Sequence, residues 1–273
     1  MNESGGSSSS TFLTSDGYGY ERQMGRWSRR LAPLFVEFAG IDAAERVLDV
    51  GCGTGSLAFC LARQPGIARV TGLDLSQAYV AHAQRSRPDA QMEFQVGDAC
   101  ALPFGDASFD HTLSMLVLQF IPQAHRAVQE MHRVTRRGGT VAAATWDSGG
   151  GLVAHRMILD TAALIHPSGN AARAKAYHRP LSQPRELAHL WQTAGFVDVV
   201  QDMRTIRMDF ASFEDFWTPV ERNDGPLAEY VKTLDSKTAA RLRLAVESAY
   251  LGGDADGPRS FAATAWVIRG KAV

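Results

Sequence analysis

Between residues 46 and 145, short apolar runs alternate with longer amphipathic ones, and this alternation leaves few folds open to the chain. Arg46 to Val50 reads as a strand and Leu57 to Arg63 as a helix. Arg69 to Leu73 is a second strand, and Ser76 is placed to cap the helix after it. Met92 to Val96 alternates as a third strand, and Asp110 to Leu116 makes a fourth. A helix from about Gln123 to Thr135 turns Val128, Met131 and Val134 inward, and Gly138-Gly139 end it before a fifth strand, Thr140 to Thr145. Strand–helix–strand units of this length require right-handed crossovers and a parallel sheet covered on both faces. The expected fold class is α/β, a doubly wound, mostly parallel seven-stranded sheet.

The remaining pieces fit around that sheet. Leu31, Leu34, Phe35 and Phe38 share one helical face, which Gly40 stops. After Trp146 the alternation breaks: Asp147-Ser148-Gly149-Gly150-Gly151 is a loop, and residues 152–166 read as a helix with no strand behind it. Ser182 and Pro184 open a helix bearing Leu187, Leu190, Trp191 and Ala194. Gly195 closes it, and Phe196 to Val200 follows as a strand. Ser212-Phe213-Glu214-Asp215 has capping-box form, Leu242, Val246 and Tyr250 mark another helix, and Phe261 to Arg269 is the last strand. Residues 1–17, rich in Ser and Gly, are expected to form a flexible tail. Residues 18–273 are expected to be one domain with helical cap insertions at about 148–180 and 204–255.

Composition narrows the function classes. Hydrophobic residues make up 45% of the 273, enough for an ordinary core, and Lys plus Arg (28) nearly balances Asp plus Glu (29). A net charge of -1 argues against a protein that grips nucleic-acid backbones. Cys52, Cys60 and Cys100 are too few and scattered for a disulfide framework, so reduced thiols and a cytoplasmic location are expected. The amino terminus has no apolar stretch of the secretory kind, and there is no apolar run long enough for a membrane span. Nothing in the pattern speaks to oligomeric state.

In an open parallel sheet, ligands bind beyond the carboxyl ends of the strands, at the switch point. The loop there is Asp49-Val50-Gly51-Cys52-Gly53-Thr54-Gly55. A dinucleotide fingerprint is one reading: Gly53-Thr54-Gly55-Ser56-Leu57-Ala58 matches G-x-G-x-x-G/A, and Asp74 lies 19 residues after Gly55. The register is wrong, because counting from Gly51, the residue that directly follows the strand, puts Ser56 where the third glycine belongs. An NAD(P)-dependent oxidoreductase is therefore the alternative enzyme.

The stretch Val47-Leu48-Asp49-Val50-Gly51-Cys52-Gly53-Thr54-Gly55 closely resembles the first motif of class I S-adenosylmethionine-dependent methyltransferases. The likeness continues in order through Gly72-Leu73-Asp74-Leu75-Ser76, Gly97-Asp98-Ala99, Leu102-Pro103-Phe104, Ser108-Phe109-Asp110, and Arg133-Val134 with Gly138-Gly139. It covers about residues 45–146 and is nearest the branch containing the ubiquinone/menaquinone C-methyltransferases. Arg137 stands where that family often has a proline, which alters a turn.

The resemblance implies a Rossmann-like methyltransferase fold, S-adenosyl-L-methionine as cofactor and a small-molecule methyl acceptor. It also implies roles. Gly51, Cys52 and Gly53 let the ligand lie against the backbone. Asp74 accepts from both ribose hydroxyls, with Leu75 beside it; a helix cap is the other role open to Asp74. Asp98 takes the adenine amino group, and the Ala99 N–H reaches the ring; a Gly-Asp turn is Asp98's plainer role. Asp49, inside a strand, holds loop N–H groups or, through water, the ligand ammonium. Met115 faces the methionyl part or serves as core. Tyr20 and Arg26 form a lid on the ligand carboxylate, or belong to a solvated helix start.

A sulfonium methyl is already activated, so positioning and desolvation suffice unless the acceptor must lose a proton. None of the eight histidines, His111, His125, His155, His166 and His178 among them, is marked by its spacing, and no catalytic residue is assigned. No metal-ligand spacing appears. Trp146, Trp191, Trp217, Phe210, Phe213, Phe216 and Tyr177 either line an apolar acceptor pocket or pack the caps onto the sheet. A non-catalytic S-adenosylmethionine-binding protein shares every one of these motifs.

Overall fold

A strand covered on both faces must be apolar at successive positions, and Val47, Leu48 and Val50 of β1 (Ala44–Val50) are all fully buried. The computed structural model describes residues 21–41, 43–86, 91–222 and 225–273. The expected tail and Tyr20 lie outside the described residues. In it β1 pairs in parallel with β2 (Ile67–Asp74) and with β4 (Phe109–Met115). β3 (Met92–Val96) flanks β2, and β5 (Thr135–Trp146) flanks β4, both in parallel. β7 (Arg259–Lys271) runs antiparallel between β5 and β6 (Val197–Phe210). The seven-stranded order is β3-β2-β1-β4-β5-β7-β6, which puts the switch point between β1 and β4.

Ten α-helices occur among the described residues: α1 (Arg26–Ala39), α2 (Ser56–Leu61), α3 (Gln77–Ser86), α4 (Ala124–Val134), α5 (Val153–Ile165), α6 (Pro167–Tyr177), α7 (Glu186–Thr193), α8 (Phe213–Arg222), α9 (Pro226–Lys232) and α10 (Ser236–Leu251). They cover the sheet on both sides. One layer joins Leu31 and Phe35 of α1, Leu57 and Leu61 of α2, Ile158 of α5 and Trp217 of α8. The other joins Val128, Met131 and Val134 of α4 to Leu187 and Trp191 of α7. Ser76 caps α3, its Oγ accepting from the Tyr79 N–H at 3.3 Å.

Two strands are longer than the sequence suggests. β6 spans fourteen residues rather than five, continuously paired with β7 from Val200 to Phe210, so the helices after it begin at Phe213 and not near 204. It is an edge strand with no buried side chain from Val197 to Thr205, and the β alternation of Ile206, Met208 and Phe210 with Arg207 and Asp209 begins only near its end. β5 begins at Thr135, where α4 ends, five residues before the expected start. Most of the aromatics near the proposed caps are packing residues. Phe210, Phe213, Phe216 and Trp217 are buried together, Phe213 stacks on Trp217 at 6.0 Å, and Trp146 and Trp191 are buried as well.

Candidate functional site

Backbone hydrogen bonds tie the carboxyl ends of three strands into one surface. The Gly51 and Cys52 amides, just past β1, both donate to the Leu73 carbonyl near the end of β2, at 2.7 and 3.0 Å. Gly53 N–H donates to Asp74 Oδ2 at 2.8 Å, and Gly97 N–H, past β3, donates to the Asp74 carbonyl at 2.9 Å. The glycine loop, Asp74 and the Gly97-Asp98 turn are thus adjacent. Gly51 has φ +72°, and a Cβ there would lie 2.5 Å from the Val117 methyls, so the position requires glycine. Gly53, at φ +53°, faces open space.

Three acids line this edge in different states. Asp74 is half-buried: Oδ1 accepts from Ser76 N–H at 2.8 Å while Oδ2 holds the loop. Each oxygen keeps a lone pair beyond these bonds. Asp98 is likewise half-buried, and its Oδ1 closes a turn with Cys100 N–H at 2.8 Å, next to the buried Ala99. Asp49 differs. It is 1% exposed, and neither carboxylate oxygen makes a well-formed hydrogen bond, although the Ala58 backbone amide of α2 approaches it. It therefore does not hold loop N–H groups, the first of its two expected roles. Burial, with the Asp74 charge adding to it, pushes its carboxyl up to about 8, and only the Ala58 backbone amide works against that. The buried Cys52 thiol beside it is raised by the same burial and the same two acids.

Asp49 faces a cavity of about 20 Å³, roomy enough for a single water, that it lines with Gly51, Cys52, Gly53, Ser28, Ser56 and Met115. The Ser28 and Ser56 hydroxyls are also buried without partners. Ser28 is the missed residue of this group. Its signal was a polar residue inside the apolar stripe Trp27, Leu31, Ala32, Phe35. Glu21 was missed too: in the π-helical turn Glu21–Gly25 its carboxylate accepts from Thr54 Oγ1 of the glycine loop and pairs with Arg29. Arg26, expected on a ligand carboxylate, is engaged elsewhere, its Nη1 donating to both Asp215 oxygens at 3.0 Å while its guanidinium stacks on Trp27 at 4.3 Å. Leu75 is half-buried at the start of the turn after β2.

A larger cavity, about 530 Å³, opens past the end of β5, lined by Gly149, Asn170, Arg173, Tyr177, His178 and Gln183. Of the candidate aromatics only Tyr177 lines it. The histidines separate by role. His111 Nδ1 accepts from Thr140 N–H at 3.0 Å, and His166 caps α6. His155 is half-buried and held down to about 4 by burial, so it is neutral at pH 7. Among the described residues no group of His, Cys, Asp or Glu is arranged to hold a metal ion, and no helix is long and apolar enough to cross a membrane.

Residues 48–143 match a family model described as "Methyltransferase domain". The chain is 35% identical over 178 residues to an O-methyltransferase of Penicillium expansum, covering 62% of this chain and 59% of that one. It is 40% identical over 121 residues to a malonyl-[acyl-carrier protein] O-methyltransferase of Erwinia pyrifoliae, covering 44% and 45%. The matches span about two fifths to three fifths of the length of the curated relatives. A phosphoethanolamine N-methyltransferase of Haemonchus contortus, solved in complex with S-adenosyl-L-methionine, superimposes with a TM-score of 0.58 at 19% identity, covering 94% of this chain and 57% of that one. That likeness is one of fold.

Proposed function

We propose that this chain, which carries a methyltransferase domain of the class I, S-adenosylmethionine-dependent kind within residues 48–143, transfers a methyl group from S-adenosyl-L-methionine to a small-molecule acceptor. One observation carries the reading: three polar side chains, Asp49, Ser28 and Ser56, are buried without partners around the glycine loop. A buried polar group left unpaired costs about 1–3 kcal/mol, so three at one loop point to a polar ligand that completes them. A dinucleotide reading does not need them, since its pyrophosphate would take loop amides rather than buried acids and hydroxyls.

The residues fit the cofactor part by part. Asp49 would face the ligand ammonium and Asp74 the ribose hydroxyls. Asp98 and the Ala99 amide would take the adenine, with Gly51, Cys52, Gly53 and Leu75 forming the wall and Met115 the floor. Tyr20 and Arg26 remain lid candidates, Arg26 only after leaving Asp215. When bound, S-adenosylmethionine supplies a methyl group on positively charged sulfur, already activated for in-line displacement. The protein's task is then to hold two reactants in line and keep water out, and no protein base is assigned. Carbon is a candidate acceptor atom on the sequence likeness to ubiquinone/menaquinone C-methyltransferases, and oxygen is a candidate on the names of the two relatives. The proposed cap segments, 148–180 and the helices from Phe213 to Leu251, would close over the acceptor. The free cysteines fit a cytoplasmic setting.

Thermal-shift titration tests this reading. S-adenosylhomocysteine should raise the melting temperature while NAD(H) and NADP(H) leave it unchanged; the reverse pattern would make the chain a dehydrogenase. Tight cofactor binding with no labelled product from a metabolite extract would leave a binding protein.

A further inference from the structure

Arg179 is a cation that the fold presents without an acid to neutralise it. It follows α6 and lies between His178 and Gln183, two residues that line the 530 Å³ cavity. Its position is tightly held. Ser182 Oγ donates to the Arg179 carbonyl at 2.6 Å, and Leu181, in a left-handed conformation at φ +59°, has its carbonyl taken by Thr145 Oγ1 at 2.6 Å. Trp266 Nε1 donates to the Ser182 carbonyl at 3.1 Å. Thr145 belongs to the last turn of β5, so these bonds fasten the Arg179 backbone to the same carboxyl edge that carries the glycine loop.

The guanidinium lies 4.8 Å over the Phe120 ring. Phe120 ends the short 3-10 turn Leu118–Phe120 after β4, and that segment also supplies Val117, which packs on Gly51. Among the described residues no carboxylate pairs with Arg179, and burial alone lowers its proton affinity. His155, which feels the Arg179 charge, is neutral at pH 7, because burial and that charge together hold its pKa near 4. Contact with a ring offsets only part of what withdrawing a guanidinium from water costs. A planar fork of donors that is partly buried, has no carboxylate partner among the described residues and adjoins in sequence a residue lining an open cavity is matched by a planar or tetrahedral anion.

We propose that Arg179 anchors an anionic group, a carboxylate or a phosphate, on the methyl acceptor. The acceptor class follows from this: a small molecule with an acidic substituent, seated between α6 and the turn after β4. The inference rests on the methyltransferase reading for the word acceptor, but anion binding at Arg179 stands or falls by itself.

The experiment is calorimetric titration of the full chain, saturated with S-adenosylhomocysteine, with benzoate, phenyl phosphate and benzamide. At least one anion should bind about tenfold or more tightly than benzamide, and Arg179→Met should bring all three within about twofold while leaving S-adenosylhomocysteine affinity intact. Whichever of benzoate and phenyl phosphate binds more tightly identifies the acidic group. Arg179→Lys, which keeps the charge and loses the fork, should retain part of the preference and serves if the methionine variant does not fold. Equal binding of anions and benzamide, no binding of either anion up to about 10 mM, or a preference unchanged in Arg179→Met would overturn the assignment. If S-adenosylhomocysteine itself does not bind, the methyltransferase reading fails, and the same titrations without it still decide Arg179.

Discussion

The isolation of Asp49 makes cofactor affinity a function of pH. With its carboxyl raised to about 8, only about one molecule in a hundred carries the ionised group at pH 6, and about one in four at pH 7.5. If the bound ligand's ammonium requires the ionised form, affinity for S-adenosylhomocysteine should rise roughly 25-fold over that interval, about 2 kcal/mol. The free protein should move the other way. A folded pKa above the unfolded value of 3.8 contributes stability that is complete below about pH 4 and is lost as pH rises through about 8. Asp49→Asn removes the titration, so the free variant should melt above the wild type at pH 8 and bind the ligand with a flat pH profile. Calorimetry at pH 6, 6.75 and 7.5, in two buffers of different ionisation enthalpy, measures both the slope and the proton released. A wild-type affinity independent of pH, or a slope that persists in Asp49→Asn, would refute the reasoning.

Asp74→Ala should weaken S-adenosylhomocysteine binding by about 1–3 kcal/mol, read by calorimetry, and also lower the melting temperature because Gly53 N–H loses its acceptor. Gly51→Ala places a methyl against Val117 at a positive φ and should destabilise the fold by more than about 1 kcal/mol in urea titration, with cofactor binding lost in step. Trp191→Ala empties a fully buried site and breaks the bond to the Val141 carbonyl, at a cost of about 3–5 kcal/mol in chemical denaturation. Arg26→Ala breaks a partly exposed pair with Asp215 and should shift stability by no more than about 1 kcal/mol, with ligand affinity within about twofold. A tenfold loss of affinity in that variant would return Arg26 to the ligand carboxylate.

What could be read from the chain alone was whatever one segment decides for itself. The five parallel strands and the helices between them are local patterns, and Val128, Met131 and Val134 are buried where their spacing puts them. Ser76 and Gly40 mark helix ends by chemistry internal to a single turn. What pairing decides could not be read. β6 reaches Phe210 because β7 supports it, and alternating charges on an edge strand resemble a loop. The Asp235 cap of α10, which accepts from Lys237 and Thr238 N–H at 3.0 Å, opens a polar first turn, Ser236-Lys237-Thr238, with no apolar period to point to it. The same division holds in the site. Each motif is a short run of chain that carries its own acid and glycine, whereas the Arg26–Asp215 pair spans 189 positions and the Glu21–Thr54 contact 33. The isolation of Asp49 is a property of everything around it.

The cavity of about 20 Å³ beside Asp49 has room for a water and not for the amino-acid end of the proposed cofactor, so binding there should displace an element beside the loop, and the bonding ranks the candidates. Shifting the loop against β2 would break the Gly51, Cys52 and Gly53 bonds and leave three donors unpaired, at about 1–3 kcal/mol each. The Glu21–Gly25 turn is held by the Glu21 pair with Arg29, whose side chain is 54% exposed, and by one bond to Thr54. Such a pair contributes about 0–1 kcal/mol. α1 is fixed from its far side, where Arg30 bonds the Arg207 carbonyl and pairs with Asp209 of β6, and Arg26 pairs with Asp215 of α8. The turn should therefore yield before the helix, and Glu21, a carboxylate resting between Thr54 and Arg29, should give up its place to the carboxylate of the proposed ligand.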